Sequence, residues 1–159
     1  MPEITEHLPM REILTYEEIA FVCAQAAVLG IDQFRITGGE PLVRKNCAAL
    51  VSMLKGIPGI RRVAMTTNGV LLQEHLEELL EAGLDAVNIS LDSMDREQYR
   101  AVTGMDELER VLASVRLAAG MGAMKVLWTA REPKDHARLM RENHAVIFEG
   151  YRPTEGRDG

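Results

Sequence analysis

Cysteine is scarce in this 159-residue chain, which holds two, Cys23 and Cys47. Two thiols so far apart exclude a disulfide scaffold and a Cys-x2-Cys metal site. Positive charge is also short: 18 Lys and Arg face 24 Asp and Glu, a formal charge of −6. Binding to a phosphate backbone rests on clustered basic residues, so a nucleic-acid partner is not expected. No apolar run approaches the roughly 18 residues of a membrane span. Met1 to His7 is acidic and polar, unlike a secretory signal or a transit peptide. His7, His75, His136 and His144 form no metal-ligand spacing. A reducing cytoplasm is the simplest setting, and the length suits one domain with a substantial core.

What is present is an alternation of helix and strand. Thr15-Tyr16-Glu17-Glu18 reads as a capping box. The helix it opens carries Ile19, Val22, Cys23 and Ala26 on one face and should stop near Gly30. Gln33 to Thr37 reads as a strand. Asn46 is placed to cap a helix that buries Cys47, Leu50, Val51 and Leu54 and ends at Gly56 and Pro58. Strands follow at Arg62 to Thr67 and Asp85 to Leu91, with a helix from Gln73 to Ala82 between them and Gly83 as its C′ residue. Asp106-Glu107-Leu108-Glu109 should cap a helix running to about Gly120, before a fourth strand at Met124 to Leu127.

Short connections between strands and helices are the pattern of βα units around a parallel sheet. An open doubly wound sheet and part of a (β/α)8 barrel share that pattern. The parity of the strands separates them. Phe34 and Ile36 alternate with Arg35 and Thr37; Val63 and Met65 alternate with Ala64 and Thr66. Val87, Ile89 and Leu91 alternate with Asn88, Ser90 and Asp92. A strand buried on both faces would be apolar throughout. A second face that grows more polar toward the strand's C-terminal end suits a barrel lumen with a ligand at its top. The expected fold is therefore α/β, a partial (β/α) TIM-like barrel of parallel strands with outer helices. We place the barrel core at 1–127 and a divergent tail at 128–159. In that tail Ala137 to Arg141 and Ala145 to Phe148 could form a helical turn and a strand, and Pro153 to Gly159 looks disordered.

Gly38-Gly39 falls at a strand end, where missing side chains let a ligand approach the backbone. An ordinary βα turn could use the same Gly-Gly-Glu-Pro. Arg35, on the lumen face, needs an anionic ligand, a solvated cavity, or an ion pair with Glu40 or Asp92. Thr66 and Ser90 offer one donor and two acceptors without filling a lumen, though both could be plain strand-end residues. Lys125 sits among apolar neighbours on the fourth strand, facing the lumen or frayed into solvent. Cys23 and Cys47, each on an apolar helix face, read as small buried hydrophobes.

Three motifs in order, Arg35-Ile36-Thr37-Gly38-Gly39-Glu40-Pro41-Leu42, Thr66-Thr67-Asn68-Gly69 and Asn88-Ile89-Ser90-Leu91-Asp92, resemble the core of a radical S-adenosylmethionine (SAM) enzyme. The chain is most similar to the GTP 3′,8-cyclase of molybdenum cofactor biosynthesis (the MoaA type), from Met1 to about Val126, with Leu8-Pro9 adding to the match. That resemblance implies SAM contacts from Gly38, Gly39, Glu40 and Ser90, and GTP contacts from Arg35, Thr66 and Lys125. In the family a Cys-x3-Cys-x2-Cys motif holds a 4Fe-4S cluster and precedes a Met-Pro pair. Here Met1-Pro2 opens the chain, so the cluster ligands are absent and the chain reads as cut at both ends. Three expectations follow: an inactive fragment of a radical SAM lyase, a working enzyme whose start lies upstream, or a noncatalytic module binding SAM or a nucleotide. A lost first strand would expose a sheet edge open to oligomerisation or aggregation.

Overall fold

The structure, a computed structural model, describes residues 13–121 fully and 125–129 as backbone. Four strands form one sheet in the order β1-β2-β3-β4: Gln33–Ile36, Arg62–Thr67, Ala86–Ser90 and Lys125–Thr129. Every neighbouring pair is parallel, which excludes an antiparallel sheet with one wet face. The helices are α1 (Tyr16–Val28), α2 (Cys47–Lys55), α3 (Leu72–Glu81), α4 (Arg96–Thr103) and α5 (Leu108–Gly120). A short 3-10 helix, Pro41–Val43, follows β1. This is the expected partial barrel. β4 begins one residue later than expected and runs to Thr129. The expected elements at Ala137 to Arg141 and Ala145 to Phe148, the disorder at Pro153 to Gly159, and the polar start at Met1 to His7 lie outside the described residues.

Strand parity holds. Val63, Met65, Val87 and Ile89 are sealed against the helices, while Thr66 and Asn88 are half-buried and Ser90 is exposed on the other face. Val51 and Leu54 of α2, Leu72, Leu76 and Leu79 of α3, and Val111 and Val115 of α5 complete the core. Each such side chain contributes about 1.5–3 kcal/mol by leaving water. At the ends where the strands begin, Asp85 accepts from Val63 N at 2.6 Å and from Lys55 Nζ at 2.9 Å. Its own N–H returns to Val63 O, so β2 and β3 start in fixed register.

Several local expectations change. No residue of α1 is fully buried, and Val22 is 58% exposed. α1 packs on α2 and meets the core through Tyr16, Ile19 and Cys23, leaving Val22 outside that stripe. Asn46 does stand at the N-cap of α2 but makes no capping bond. Its φ of 59° is left-handed, whereas a capping side chain folds back from extended backbone. Glu107 likewise caps α5 without a side-chain bond, and Asp106 turns instead to Arg96, bonded to Nε and Nη2 at 2.8 Å each. The sequence reading missed α4, whose Asp95 caps Gln98 N at 2.9 Å. Only Tyr99 of that helix is buried, so no apolar stripe announced it.

Candidate functional site

Of the expected site residues, Gly38, Gly39, Glu40, Thr66 and Ser90 lie at the C-terminal strand ends, but only the first three line the cleft there, and Arg35 and Lys125 lie lower. β1 leaves the sheet through Gly38, whose φ of +136° suits glycine alone, and Gly39. A Cβ built on either meets nothing within 4 Å, so both backbones border open space. They line a cleft of about 310 Å³ with Tyr16 and Ile19 of α1, Glu40, Arg44 and Cys47. Arg44 lies over the Tyr16 ring at 4.1 Å and donates to Leu14 O at 2.7 Å, so it is not a free anion ligand. The Tyr16 hydroxyl donates to Lys45 O at 3.1 Å, tying α1 to the segment after the glycines.

Glu40 reaches across this end. Its Oε1 accepts from Thr67 Oγ1 at 2.8 Å and from Leu42 N at 3.1 Å. Its Oε2 accepts from Asn68 N at 2.7 Å. Thr67, 2% exposed, takes Gly69 N as a second partner at 3.1 Å. Asn68 Oδ1 accepts from Val70 N at 2.9 Å, an Asx turn. Gly69 has φ +81°, and a Cβ there would lie 2.8 Å from Ile89 Cγ2. The Thr67-Asn68-Gly69 stretch is therefore a locked turn. Sequence reasoning singled out Thr66 and passed over Thr67. The signal was its parity: a polar residue in register with Val63 and Met65 must find a buried partner.

Thr66 lies on the lumen face beside Asn88 in the register of β2 and β3. Asn88 Oδ1 is buried without a partner among the described residues. Ser90 ends β3, exposed, in register with Thr129. Arg35 sits lower, in a row that reads Arg35, Ala64, Ala86, Lys125 across the sheet. It is exposed and forms no ion pair among the described residues. The alternative of an ion pair with Glu40 is not formed: that carboxylate takes three other donors. Lys125 has only its backbone register described. Gly38, Gly39, Glu40, Thr66 and Ser90 thus share one end of the sheet, with Arg35 beneath them.

Cys47 is buried and Cys23 half-buried, and both are free thiols. Burial, reinforced by the negative charge of Glu40, pushes the Cys47 thiol above its ordinary value; burial alone raises Cys23. No group of three or more His, Cys, Asp or Glu among the described residues could hold a metal. Nor is any helix among them long and apolar enough to cross a membrane.

This arrangement, a parallel half-barrel with its glycine turn and hydroxyls at the strands' C-terminal ends, defines the class. A sequence profile of the Radical SAM superfamily matches residues 5–146, and the chain belongs to that superfamily. It is 45% identical over 128 residues to the GTP 3′,8-cyclase of Thermodesulfovibrio yellowstonii, covering 79% of this chain and 40% of that enzyme. The GTP 3′,8-cyclase of Gloeobacter violaceus is 43% identical over 121 residues, covering 76% of this chain and 37% of the enzyme. The chain therefore spans about two fifths of the length of these curated relatives. A crystal structure of archaeal TYW1 superposes over 94% of this chain and 60% of its own, with a TM-score of 0.60 at 17% identity. That likeness extends to the fold.

Proposed function

We propose that this chain forms the SAM- and GTP-binding barrel segment of a GTP 3′,8-cyclase, a cytoplasmic radical SAM lyase that begins molybdenum cofactor biosynthesis. Gly38, Gly39 and Glu40 border the methionine part of SAM through their backbone, and Ser90 meets the cofactor at the end of β3. Arg35, Thr66 and Lys125 hold GTP, with the Arg35 fork on phosphate oxygens. SAM, when bound, supplies the 5′-deoxyadenosyl group of this enzyme class; the protein's part is binding and orientation. The observation that supports this reading is the glycine pair facing open space at the same end of the sheet as Thr66 and Ser90, with Arg35 free of ion pairs among the described residues.

The described residues do not fit the family's iron–sulfur cluster. Such clusters take sets of thiolates, and the two thiols here stand on separate helices with their protonated forms favoured. Binding without turnover is therefore the activity we assign to the 159-residue chain alone. Calorimetric titration of the purified chain with SAM and with GTP tests it. Saturable binding of both supports the reading, and a folded sample that takes up neither removes it.

A further inference from the structure

The Glu40 side chain does something that the glycine turn beside it cannot do for itself. Two consecutive glycines, one at φ +136°, fix no conformation of their own. Their anchor on the C-terminal side is Glu40. Glu40 lines the cleft beside Gly39, but its carboxylate is taken up by the protein. It spends three hydrogen bonds within the protein, on Leu42 N, Thr67 Oγ1 and Asn68 N. The first closes the 3-10 helix, and the other two fasten the turn after β1 to the turn after β2. Thr67 is sealed at 2% exposure, and its oxygen also accepts from Gly69 N. A half-buried, charge-assisted bond of this kind resists breaking, since the sealed Thr67 hydroxyl would otherwise lose its acceptor. The covalent neighbours complete the connection: Gly39 precedes Glu40, and Thr66 precedes Thr67.

We propose that Glu40 and Thr67 are a positioning pair that couples the Gly38-Gly39 turn to the Thr66 end of β2, so that SAM and GTP bind cooperatively. The inference rests on the functional reading above and deepens it. A ligand that settles the unconstrained Gly38-Gly39 turn in one conformation also fixes, through Glu40 and the rigid Thr67 turn, the Thr66 end of β2, so the second ligand meets a site already held. Glu40 then acts through the turns it fixes, with its backbone rather than its carboxylate at the cofactor. Coupling between sites is reciprocal, so either ligand should tighten the other by one factor.

The experiment is titration of GTP into the full chain with and without saturating SAM, then the reverse order. The proteins are the wild type, Thr67→Val, Thr67→Ser and Glu40→Gln. In the wild type each ligand should tighten the other about 5-fold or more. Thr67→Val, which loses the hydroxyl at nearly constant shape, should bind each ligand alone yet bring the ratio close to one. Thr67→Ser should restore it. Glu40→Gln can still accept from Thr67 but faces Asn68 N with a donor, and should lower the ratio partway; it also serves if Thr67→Val fails to fold. A purely structural bond would lower stability in these variants and leave the ratio unchanged, which would overturn the inference. So would independent binding of both ligands by the wild type, which the functional reading would survive; binding of one only would overturn the inference and remove the other ligand from the functional reading. Binding of neither removes the functional reading and the inference with it.

Discussion

Where the strands begin, Asp85 takes Val63 N and Lys55 Nζ; where they finish, Glu40 takes Leu42 N, Thr67 Oγ1 and Asn68 N. Both ends of the sheet are fastened by a carboxylate. The surroundings differ. Next to Asp85 stand Lys55, which also donates to Arg61 O, and the Arg61–Asp32 pair. Next to Glu40 lie two glycines that border open space, with Thr66 on the lumen face of the same strand end. One end uses its polar groups to hold strands in register. The other uses a few to hold two turns and, among the described residues, leaves the glycine backbone and the Thr66 and Ser90 hydroxyls uncommitted. That division is the barrel rule that the C-terminal face carries ligands and the N-terminal face carries stability.

Substitutions at the two ends should separate accordingly. Gly38→Val should have the largest effect, since it forces a branched side chain to a φ of +136° and into the space a ligand would occupy. SAM binding should weaken about 100-fold or more, read by calorimetry, which is about 2.7 kcal/mol. Asp85→Ala should cost about 1–3 kcal/mol of stability in denaturant titration, because Val63 N and the Lys55 ammonium lose their acceptor. Ligand affinities of the folded variant should stay within twofold. Loss of ligand binding there would collapse the distinction between the ends.

Arg35→Ala should weaken GTP about 10-fold, the worth of one charge-assisted bond, and leave SAM affinity alone. Its stability should barely move, as Arg35 is exposed and makes no ion pair among the described residues. The smallest effect concerns the thiol lining the cleft. Burial raises the Cys47 thiol, so the folded state keeps it protonated where the unfolded chain would ionise. Its contribution is present below the ordinary thiol value near 8.5 and fades as pH rises past it. At pH 8 a disulfide reagent should modify Cys23 first, and Cys47 should react at a comparable rate only after denaturation.

Much of this was legible in the sequence for a physical reason. The parity of Arg62–Thr67 and Ala86–Ser90 follows from strands with one face on helices and one on a lumen. The buried positions of α2 came from its helical repeat. What could not be read depends on neighbours. Val22 belongs to an apolar repeat but sits on α1, which packs on α2 and has no fully buried residue. α4 hid because one buried tyrosine makes no pattern. The Glu40–Thr67 bond spans 27 positions, and no local rule connects them. Motif reading named Glu40 as a cofactor contact and passed over Thr67, and so missed the bond between them.

The most direct measurement is a two-dimensional amide spectrum of the isotopically labelled chain during addition of SAM, then GTP. The N–H groups of Gly38, Gly39, Thr66 and Asn68 should shift in a saturable way, while those of Val63, Asp85 and Arg61 stay in place. Shifts confined to the Asp85 end, or none at either end in a folded sample, would contradict a ligand site at the strands' C-terminal ends.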